Sequence, residues 1–388
     1  MGHGSSQDDK RVMSGGDAVI RVNIPRRLPH DHDIVVGNGA IAGLPKRLHE
    51  LGLPNAALII SGKTIFKLHG AKLVDVLSRQ GFKEIEVALF VDKERNKTLK
   101  TFQTLCGKVA DLEQRVRAKA IIMNLGGGVV MDVGAFVAAC YDRGRAYVQL
   151  PTTLLGNVDC GIGGKCGVNY RGKNLIGAFH QPQLVLSDVS FLETLPPREM
   201  RSGLAEVIKY GIILDKKLFD SLDDAIPLII GRDFSVLERI SVRCLQIKAD
   251  IVKRDEKDTK GIRAKLNFGH TIGHALEAAT DYRRYTHGEA IAIGMVCACD
   301  MGERLRISPP GITKEAERLC RLAGLPISIA DKGVKVDTVM TFMKHDKKFV
   351  GVRNRFILPQ GKIGNGIVQD NIDEGLIKDV IAKRIAIG

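Results

Sequence analysis

Three of the chain's ten histidines stand within a short stretch, and their spacing suits chemistry at a shared site. His270 and His274 lie four residues apart in a good helix-forming run, so both imidazoles fall on one helix face. His287 follows a polar loop and opens the next predicted helix. Neutral imidazole is the commonest transition-metal ligand, and catalytic zinc takes three protein ligands and keeps a position open. The cluster predicts a metal or catalytic site; the alternative is three unrelated histidines.

A carboxylate from elsewhere would complete such a ligand set, and Glu206 is the candidate. It stands in the apolar run Leu204–Ile208 of a helix predicted to begin after two prolines, with Lys209 on the same face. The apolar setting favours burial with a partner. The alternative is an ordinary surface ion pair of Glu206 and Lys209, which contributes only about 0.2–0.5 kcal/mol.

A glycine cluster, Gly126–Gly128, joins the predicted buried strand 120–125 to a helical run at 129–141. Glycine lets a ligand approach the backbone, and the helix N-terminus offers free N–H groups, so the arrangement predicts a dinucleotide site. Asp132, Thr152 and Thr153 could hydrogen-bond the cofactor. The alternative is a tight turn from strand to helix.

The segment 159–174 is also rich in glycine and carries Lys165, Lys173 and Asn174. Lysine supplies a point charge to an anion, and asparagine and aspartate orient it. The composition predicts a loop that closes on an anionic ligand. The alternative is a flexible surface hairpin.

Length and composition limit the possible functions. With 388 residues the chain can form two domains, and 44% hydrophobic residues suffice for ordinary cores. No apolar run approaches the ~20 residues of a membrane span, so we expect no membrane partner. Residues 1–17 are polar and lack a signal-peptide core, which predicts a disordered or cloning-derived tail. Eight scattered cysteines without a CxxC pair favour free thiols and a cytoplasmic location.

The net charge of +14 suggests nucleic-acid binding at first sight. However, the basic residues are spread along the whole chain, aromatic residues make up only 5%, and tryptophan is absent. Stacking platforms for bases are therefore not expected, and we expect no nucleic-acid partner. Part of the charge suits an anionic substrate.

Strand and helix patterns alternate in the N-terminal half, which predicts an α/β fold with a parallel sheet. The predicted strands are 34–36, 57–60, 84–90, 120–125 and 146–150. The predicted helices are 66–80, 97–108, 110–116 and 129–141. Beyond residue 190 the pattern is helical with one late strand, Arg355–Leu358. We therefore predict a nucleotide-binding α/β domain at 18–190 and a mainly helical domain at 191–388.

The motifs follow one another in a recognisable order between Gly126 and Met295. They are GGGVVMDVGAFVAACYDRG, PTTLLGNVDCGIGGKCGVN, GKNLIGAFHQP, LPPREMRSGLAEVIKYG, LNFGHTIGHALE and HGEAIAIGM, and DKK at 346–348 extends them. In these motifs the chain resembles the 3-dehydroquinate synthases, which are sugar phosphate cyclases. Residues 1–120 match only in general pattern.

The resemblance implies a Rossmann-like α/β domain, an all-helical C-terminal domain and an active site in the cleft. NAD would lie over Gly126, Gly127 and Gly128. Further cofactor contacts would come from Glu94, Lys97, Asp132, Thr152, Thr153 and Lys173. Zinc or cobalt would be held by Glu206, His270 and His287, which leaves His274 as an acid/base residue. The resemblance also implies a homodimer.

The implied substrate, 3-deoxy-D-arabino-heptulosonate 7-phosphate, carries a carboxylate and a phosphate, so several cations should converge on it. The matching substrate positions are Arg143, Asp159, Lys165, Asn174, Lys209, Lys248, Arg263, Asn267 and Lys347. Catalytic roles would fall to His274, Lys165, Lys209 and Arg263. NAD would oxidise a ring hydroxyl transiently, phosphate would leave, and re-reduction and an aldol closure would give 3-dehydroquinate without net redox.

Some positions depart from the family pattern. The second strand ends in Ser61–Thr64, with Lys63 where an acidic residue for the ribose is usual, and Asp258 stands in a loop one residue longer than expected. Cys160 and Cys166 replace the usual Ser and Thr. A sister cyclase acting on another sugar phosphate is therefore an alternative, and a metal-dependent polyol dehydrogenase is a second. Arg263 and Asn267 favour the synthase because they suit a substrate carboxylate.

Overall fold

The computed structural model describes residues 32–79, 81–331, 333–344 and 354–387. These residues include ten strands: β1 (Asp33–Gly37), β2 (Ala56–Gly62), β3 (Glu84–Phe90), β4 (Ile121–Gly126), β5 (Tyr147–Pro151), β6 (Lys165–Val168), β7 (Ile176–Phe179), β8 (Leu184–Asp188), β9 (Arg355–Gln360) and β10 (Lys362–Asp370). The predicted tail 1–17 and Lys347 lie outside the described residues.

The α-helices of the described residues are α1 (Leu44–Glu50), α2 (Lys63–Ile65), α3 (Ala71–Ser78), α4 (Leu99–Val116), α5 (Gly128–Cys140), α6 (Pro197–Ile213), α7 (Lys216–Asp220), α8 (Leu222–Ile230), α9 (Phe234–Arg254), α10 (His270–Ala279), α11 (His287–Arg304), α12 (Ile312–Leu322), α13 (Val336–Lys344) and α14 (Glu374–Ile387). Short 3-10 or π turns lie at 40–43, 66–70, 94–96, 141–143, 156–160, 189–194 and 262–267. None of the described helices is long and apolar enough to cross a membrane.

Six strands form one parallel sheet in the order β1-β8-β5-β4-β2-β3. The inner strands β2, β4, β5 and β8 are buried along their whole length, because helices cover both faces and their apolar runs need no polar face. Leu58 and Ile60 pack toward α4 and α5, while Ala57 and Ile59 pack toward α1 and α3. The carboxyl ends of β2, β4 and β5 lie side by side, since Ser61 pairs with Leu125 and Gly126 with Pro151.

The second half of the described chain packs around two buried helices. Thirteen residues of α6 are buried, and α11 is buried at Gly288 and from Ala290 to Gly302. Helices buried over most of their length belong in a core, and here α8, α9, α10 and α12 pack in the same core as this pair. The predicted mainly helical character is confirmed. The division into two domains near residue 190 stays a prediction.

Two antiparallel hairpins complete the fold. β6 and β7 form one hairpin that lies on α5, and β9 and β10 form the other, against α6 and α11. The helical second half also contains the β9–β10 hairpin, of which the strand at Arg355–Leu358 was predicted and β10 was not. The two helices predicted at 97–108 and 110–116 are one continuous helix, α4. The glycine-rich segment 159–174 contributes β6 and the hairpin turn.

Glycines allow α10 and α11 to touch backbone to backbone. A Cβ on Gly294 would lie 2.0 Å from the carbonyl oxygen of Gly269, and one on Gly273 would lie 3.0 Å from the Cα of Ile291. Gly269, which precedes α10, has a left-handed φ of +78°, and a Cβ there would stand 2.6 Å from the Ile291 oxygen. The start of α10 is therefore held against residues 291–295 of α11 by main-chain contact.

Gly294→Ala should lower the free energy of unfolding by about 1–3 kcal/mol, the usual cost of overpacking, because backbone rather than a mobile side chain occupies the methyl position. Gly107→Ala is the matched control. Gly107 is exposed within α4 with open space around its missing Cβ, so alanine there should be neutral or stabilise by up to about 1 kcal/mol. Urea denaturation of both variants checks this, and equal stabilities would contradict the close contact.

Candidate active site

Three potential metal ligands meet where α6, α10 and α11 converge. Glu206 is fully buried in the middle of α6, and His270 and His287 are the first residues of α10 and α11. The Glu206 Oε1 atom lies 3.3 Å from His270 Nε2 and 3.4 Å from His287 Nε2. The three ligand atoms lie within 4.8 Å of one another. One carboxylate and two imidazoles at this spacing suit a catalytic zinc or a similar divalent cation with an open position.

The ring nitrogens that face away from Glu206 have partners of their own. His270 Nδ1 lies 3.0 Å from the carbonyl oxygen of Phe268, which only an N–H can satisfy. His287 Nδ1 lies 3.3 Å from Glu277 Oε2. Partners of this kind fix the ring orientation, and when each Nδ1 carries the hydrogen they would leave each Nε2 free to bind a cation beside Glu206.

Local sequence fixes where the two ligand helices begin. Thr286 caps α11 in a capping box with Glu289, in which each side chain bonds the other residue's backbone N–H, so His287 becomes the first helical residue. Gly269 takes the left-handed conformation that turns the chain into α10 at His270. Both imidazoles therefore project from helix starts of defined position.

Burial and charge act differently on the three ligands. Burial lowers the pKa of His270 to about 4, more than the neighbouring Glu206 raises it. Burial also opposes protonation of His287, but the charge of Glu277 and hydrogen bonds with Glu206 and Glu277 raise the pKa of His287 to about 9. Burial raises the pKa of Glu206, yet the charge of Lys209 and bonds with both histidines hold it well below the usual range. The carboxylate is therefore ionised near neutral pH.

A buried network lies next to the ligand cluster. The Lys209 ammonium contacts Glu206 and lies 3.9 Å from Asp159 Oδ1. Lys248 Nζ lies 2.9 Å from Asp159 Oδ2 and donates to the Asp159 carbonyl at 2.7 Å. Tyr210 donates its hydroxyl hydrogen to Asp159. Two of the predicted substrate lysines are thus held by Asp159 beside the metal ligands.

The glycine cluster forms the start of α5 as predicted. Gly126 ends β4, and Gly127 is the N-cap of α5 and gives no side-chain cap to the first N–H groups. A Cβ on Gly126 would stand 2.6 Å from Val130, and one on Gly127 would stand 3.1 Å from Thr153. The hydroxyl of Thr152 is buried without a hydrogen-bond partner. A free helix start and an orphaned hydroxyl fit a bound pyrophosphate.

Other predicted cofactor residues lie along the same edge. Lys97 is buried and contacts the Asp132 carboxylate at the start of α5. Glu94 accepts a 2.8 Å hydrogen bond from Asn169, which joins the end of β6 to the segment after β3. Thr153 accepts from the Gly156 N–H at 3.0 Å.

A cavity of about 1040 Å³ opens beside the candidate metal ligands and under the β6–β7 hairpin. Six predicted site residues line it: Asp132, Lys165, Lys173, Asn174, Asn267 and His274. The His274 ring stands 5.2 Å from the His270 ring and 5.8 Å from the His287 ring, centroid to centroid, so the ligand cluster adjoins the cavity. Arg143 is exposed on the turn after α5 and does not line this cavity.

The loop after α9 is organised by one carboxylate. Asp255 accepts hydrogen bonds from the backbone N–H groups of Thr259, Lys260, Ile262 and Arg263, at 2.9–3.2 Å. The buried Arg263 guanidinium donates to the carbonyls of Gly163 and Glu256. Asp258 of this loop lies at the cavity, where its Oδ2 lies 2.6 Å from Lys165 Nζ.

Two further carboxylates near the site were not predicted. A Cβ on Gly62, at the end of β2, would lie 2.2 Å from Asp92 Oδ2, so the Asp92 carboxylate occupies the place of a side chain at 62. An acidic group therefore does stand at the end of the second strand, but it comes from the segment after β3. The other is Glu277, three residues after His274 in the GHALE motif, which contacts His287 and Lys173. Its helical spacing from His274 was the available signal.

Known proteins are similar to this chain in sequence and in fold. Residues 87–202 match the family model of the 3-dehydroquinate synthase N-terminal part, and residues 203–349 match the C-terminal part. The 3-dehydroquinate synthase of Rippkaea orientalis is 42% identical over 370 residues, which are 94% of this chain and 100% of that protein. The chain belongs to the 3-dehydroquinate synthase family.

Solved structures of related cyclases share the fold. ValA, a 2-epi-5-epi-valiolone synthase from Streptomyces hygroscopicus subsp. jinggangensis with NAD+ and Zn2+ bound, is 26% identical, with a TM-score of 0.81 over 94% of this chain and 98% of that one. A 2-deoxy-scyllo-inosose synthase complexed with carbaglucose-6-phosphate, NAD+ and Co2+ is 24% identical, with a TM-score of 0.80 over 91% and 97%. The similarity to the scyllo-inosose synthase structure supports the fold of this chain, a parallel sheet followed by packed helices.

His287→Ala should remove one of three metal ligands and lower bound zinc from about one per chain to a small fraction of that. His49→Ala, at an exposed position of α1, is the control and should keep full metal content. Metal analysis after dialysis against a weak chelator measures both. Unchanged zinc in the His287 variant would contradict the ligand set.

Proposed function

We propose that this chain converts 3-deoxy-D-arabino-heptulosonate 7-phosphate into 3-dehydroquinate and phosphate. The observation that carries the proposal is the 42% identity with a 3-dehydroquinate synthase along that protein's whole length. The cavity supports it, since lysines and asparagines line its wall next to three ligands that suit a divalent cation. A substrate with a carboxylate and a phosphate needs such a cationic, hydrogen-bonding wall.

The proposal includes NAD and a zinc or cobalt ion. When bound, NAD supplies a hydride acceptor that later returns the hydride, and the metal supplies a Lewis acid for a substrate oxygen. Glu206, His270 and His287 would hold the metal. The start of α5 at Gly127–Gly128 would receive the pyrophosphate, with Thr152 and Asp132 beside it.

The chain's own residues would position the substrate and move protons. Lys165 and Asn174 reach the cavity from the hairpin, and Asn267 and His274 reach it from the helical side. His274, next to both metal-ligand rings, is placed to take or give a proton at the reacting carbon or oxygen. Lys209 and Lys248 would add positive charge at Asp159. Arg263 and Asn267 would receive the carboxylate.

A sister cyclase is the alternative, and two observations favour it. The similarity to the valiolone synthase structure extends over 94% of this chain, and Asp258 reaches the cavity at a position where the family pattern is not kept. The higher identity to 3-dehydroquinate synthases favours the first function. A cytoplasmic homodimer is part of the proposal by resemblance, and light scattering of the purified protein tests the dimer.

Phosphate release decides between these functions. The purified protein is given NAD and zinc, with the heptulosonate phosphate and sedoheptulose 7-phosphate in separate reactions. We expect phosphate from the first substrate alone, without accumulation of NADH. Phosphate from the second alone would identify a sister cyclase. Steady NADH formation without phosphate would identify a dehydrogenase and overturn the proposal.

Asp92→Asn should weaken NAD binding about tenfold or more, because a carboxylate at the end of the strand next to the glycine turn accepts hydrogen bonds from the ribose hydroxyls. The affinity for NADP should fall less or rise, since the amide removes a charge that repels the 2′-phosphate. Lys63→Ala, at the exposed neighbour, is the control and should leave NAD affinity within twofold. Calorimetric titration measures both, and an unchanged NAD affinity in the Asp92 variant would contradict the assignment.

A further inference from the structure

Glu277 is a buried carboxylate in α10 for which the proposed reaction has no role. Its side chain is only 7% exposed. The Oε2 atom lies 3.3 Å from His287 Nδ1, and the Oε1 atom lies 3.3 Å from Lys173 Nζ. Each oxygen therefore faces a different cationic or N–H partner.

The two partners belong to different parts of the site. His287 starts α11 and is one of the three ligands that suit a metal. Lys173 lies between β6 and β7, lines the cavity and stands over the Tyr282 ring at 5.6 Å. Glu277 thus joins the ligand cluster to the hairpin that covers the cavity.

We propose that Glu277 is a positioning residue that orients His287 toward the metal through one oxygen and holds Lys173 at the cofactor site through the other. The inference rests on the proposed function, which supplies the metal and NAD. An acceptor for Nδ1–H fixes the imidazole tautomer whose Nε2 lone pair can bind a cation. The same carboxylate keeps the long Lys173 side chain in one place, so less of its freedom is lost when NAD binds.

Direct coordination by Glu277 is the competing explanation. His274, Glu277 and His287 also present ligand atoms within 4.8 Å of one another. In that arrangement His287 would turn Nδ1 to the metal, and the bond between Glu277 and His287 would be lost. The positioning role accounts for both observed contacts of Glu277 and leaves Nε2 toward Glu206.

Glu277→Gln separates the two explanations. Glutamine keeps an oxygen that accepts from His287 Nδ1–H, but its amide hydrogens cannot accept from Lys173. The zinc affinity of this variant should fall less than tenfold. The NAD affinity of the zinc-loaded variant should fall about tenfold, because one charged hydrogen bond is lost. Glu277→Ala should weaken zinc binding about 10–100-fold, as for other lost partners of ligating histidines.

Binding, not turnover, is measured. The zinc dissociation constant comes from competition with a chromogenic chelator, and that of NAD comes from calorimetry on zinc-loaded protein. Lys173→Ala should weaken NAD binding without changing zinc affinity. The double variant Glu277→Ala, Lys173→Ala should bind NAD no more weakly than Glu277→Ala alone. Glu113→Gln removes a half-buried carboxylate paired with Arg145 and should change neither constant.

The outcomes are distinct. Zinc and NAD affinities within twofold of the parent in Glu277→Ala would overturn the inference. A loss of zinc affinity in Glu277→Gln as large as in Glu277→Ala would identify Glu277 as a ligand and overturn it too. If the parent protein binds neither zinc nor NAD, the proposed function fails instead. Circular dichroism verifies that each variant is folded.

Discussion

The ionised, fully buried carboxylate of Glu206 is the constraint on which the site depends. An isolated carboxylate without water costs several kcal/mol, so its surroundings must compensate for the lost hydration. Lys209 supplies the opposite charge one helical turn away, and two imidazoles face Oε1. The helices α6, α10 and α11 must therefore pack around a charged centre, so the candidate metal ligands and the core of the helical half form one arrangement.

Much of this arrangement follows from local sequence. The apolar runs that became β2, β4 and β5 predict a parallel sheet because both faces of such strands are buried. The glycines at 126–128 predict a helix start open to a ligand. The pairing of Glu206 with His270 and His287 was first only a candidate, because 64 residues separate Glu206 from His270 and spacing carries no information about that contact; the family resemblance supplied it.

Other features escaped prediction for physical reasons. The strand β10 contains two glycines and an asparagine, which are depleted in strands, and it forms because β9 offers a partner. An acidic residue was expected at the end of the second strand itself, whereas the Asp92 carboxylate reaches that point from the segment after the neighbouring strand. Glu277 contacts Lys173 across 104 residues of sequence. In each case the structure depends on a contact with another segment of the chain, so the local sequence alone does not predict it.

The backbone contact between α10 and α11 also separates thermal stability from the spacing of the His270 and His287 imidazoles. Because Gly269, Gly273 and Gly294 bring main chain against main chain, the distance between the two ligand imidazoles depends little on the volumes of nearby side chains. Repacking of the aliphatic core at α8, α9 or α12 should then change the thermal stability more than the distance between the two imidazoles.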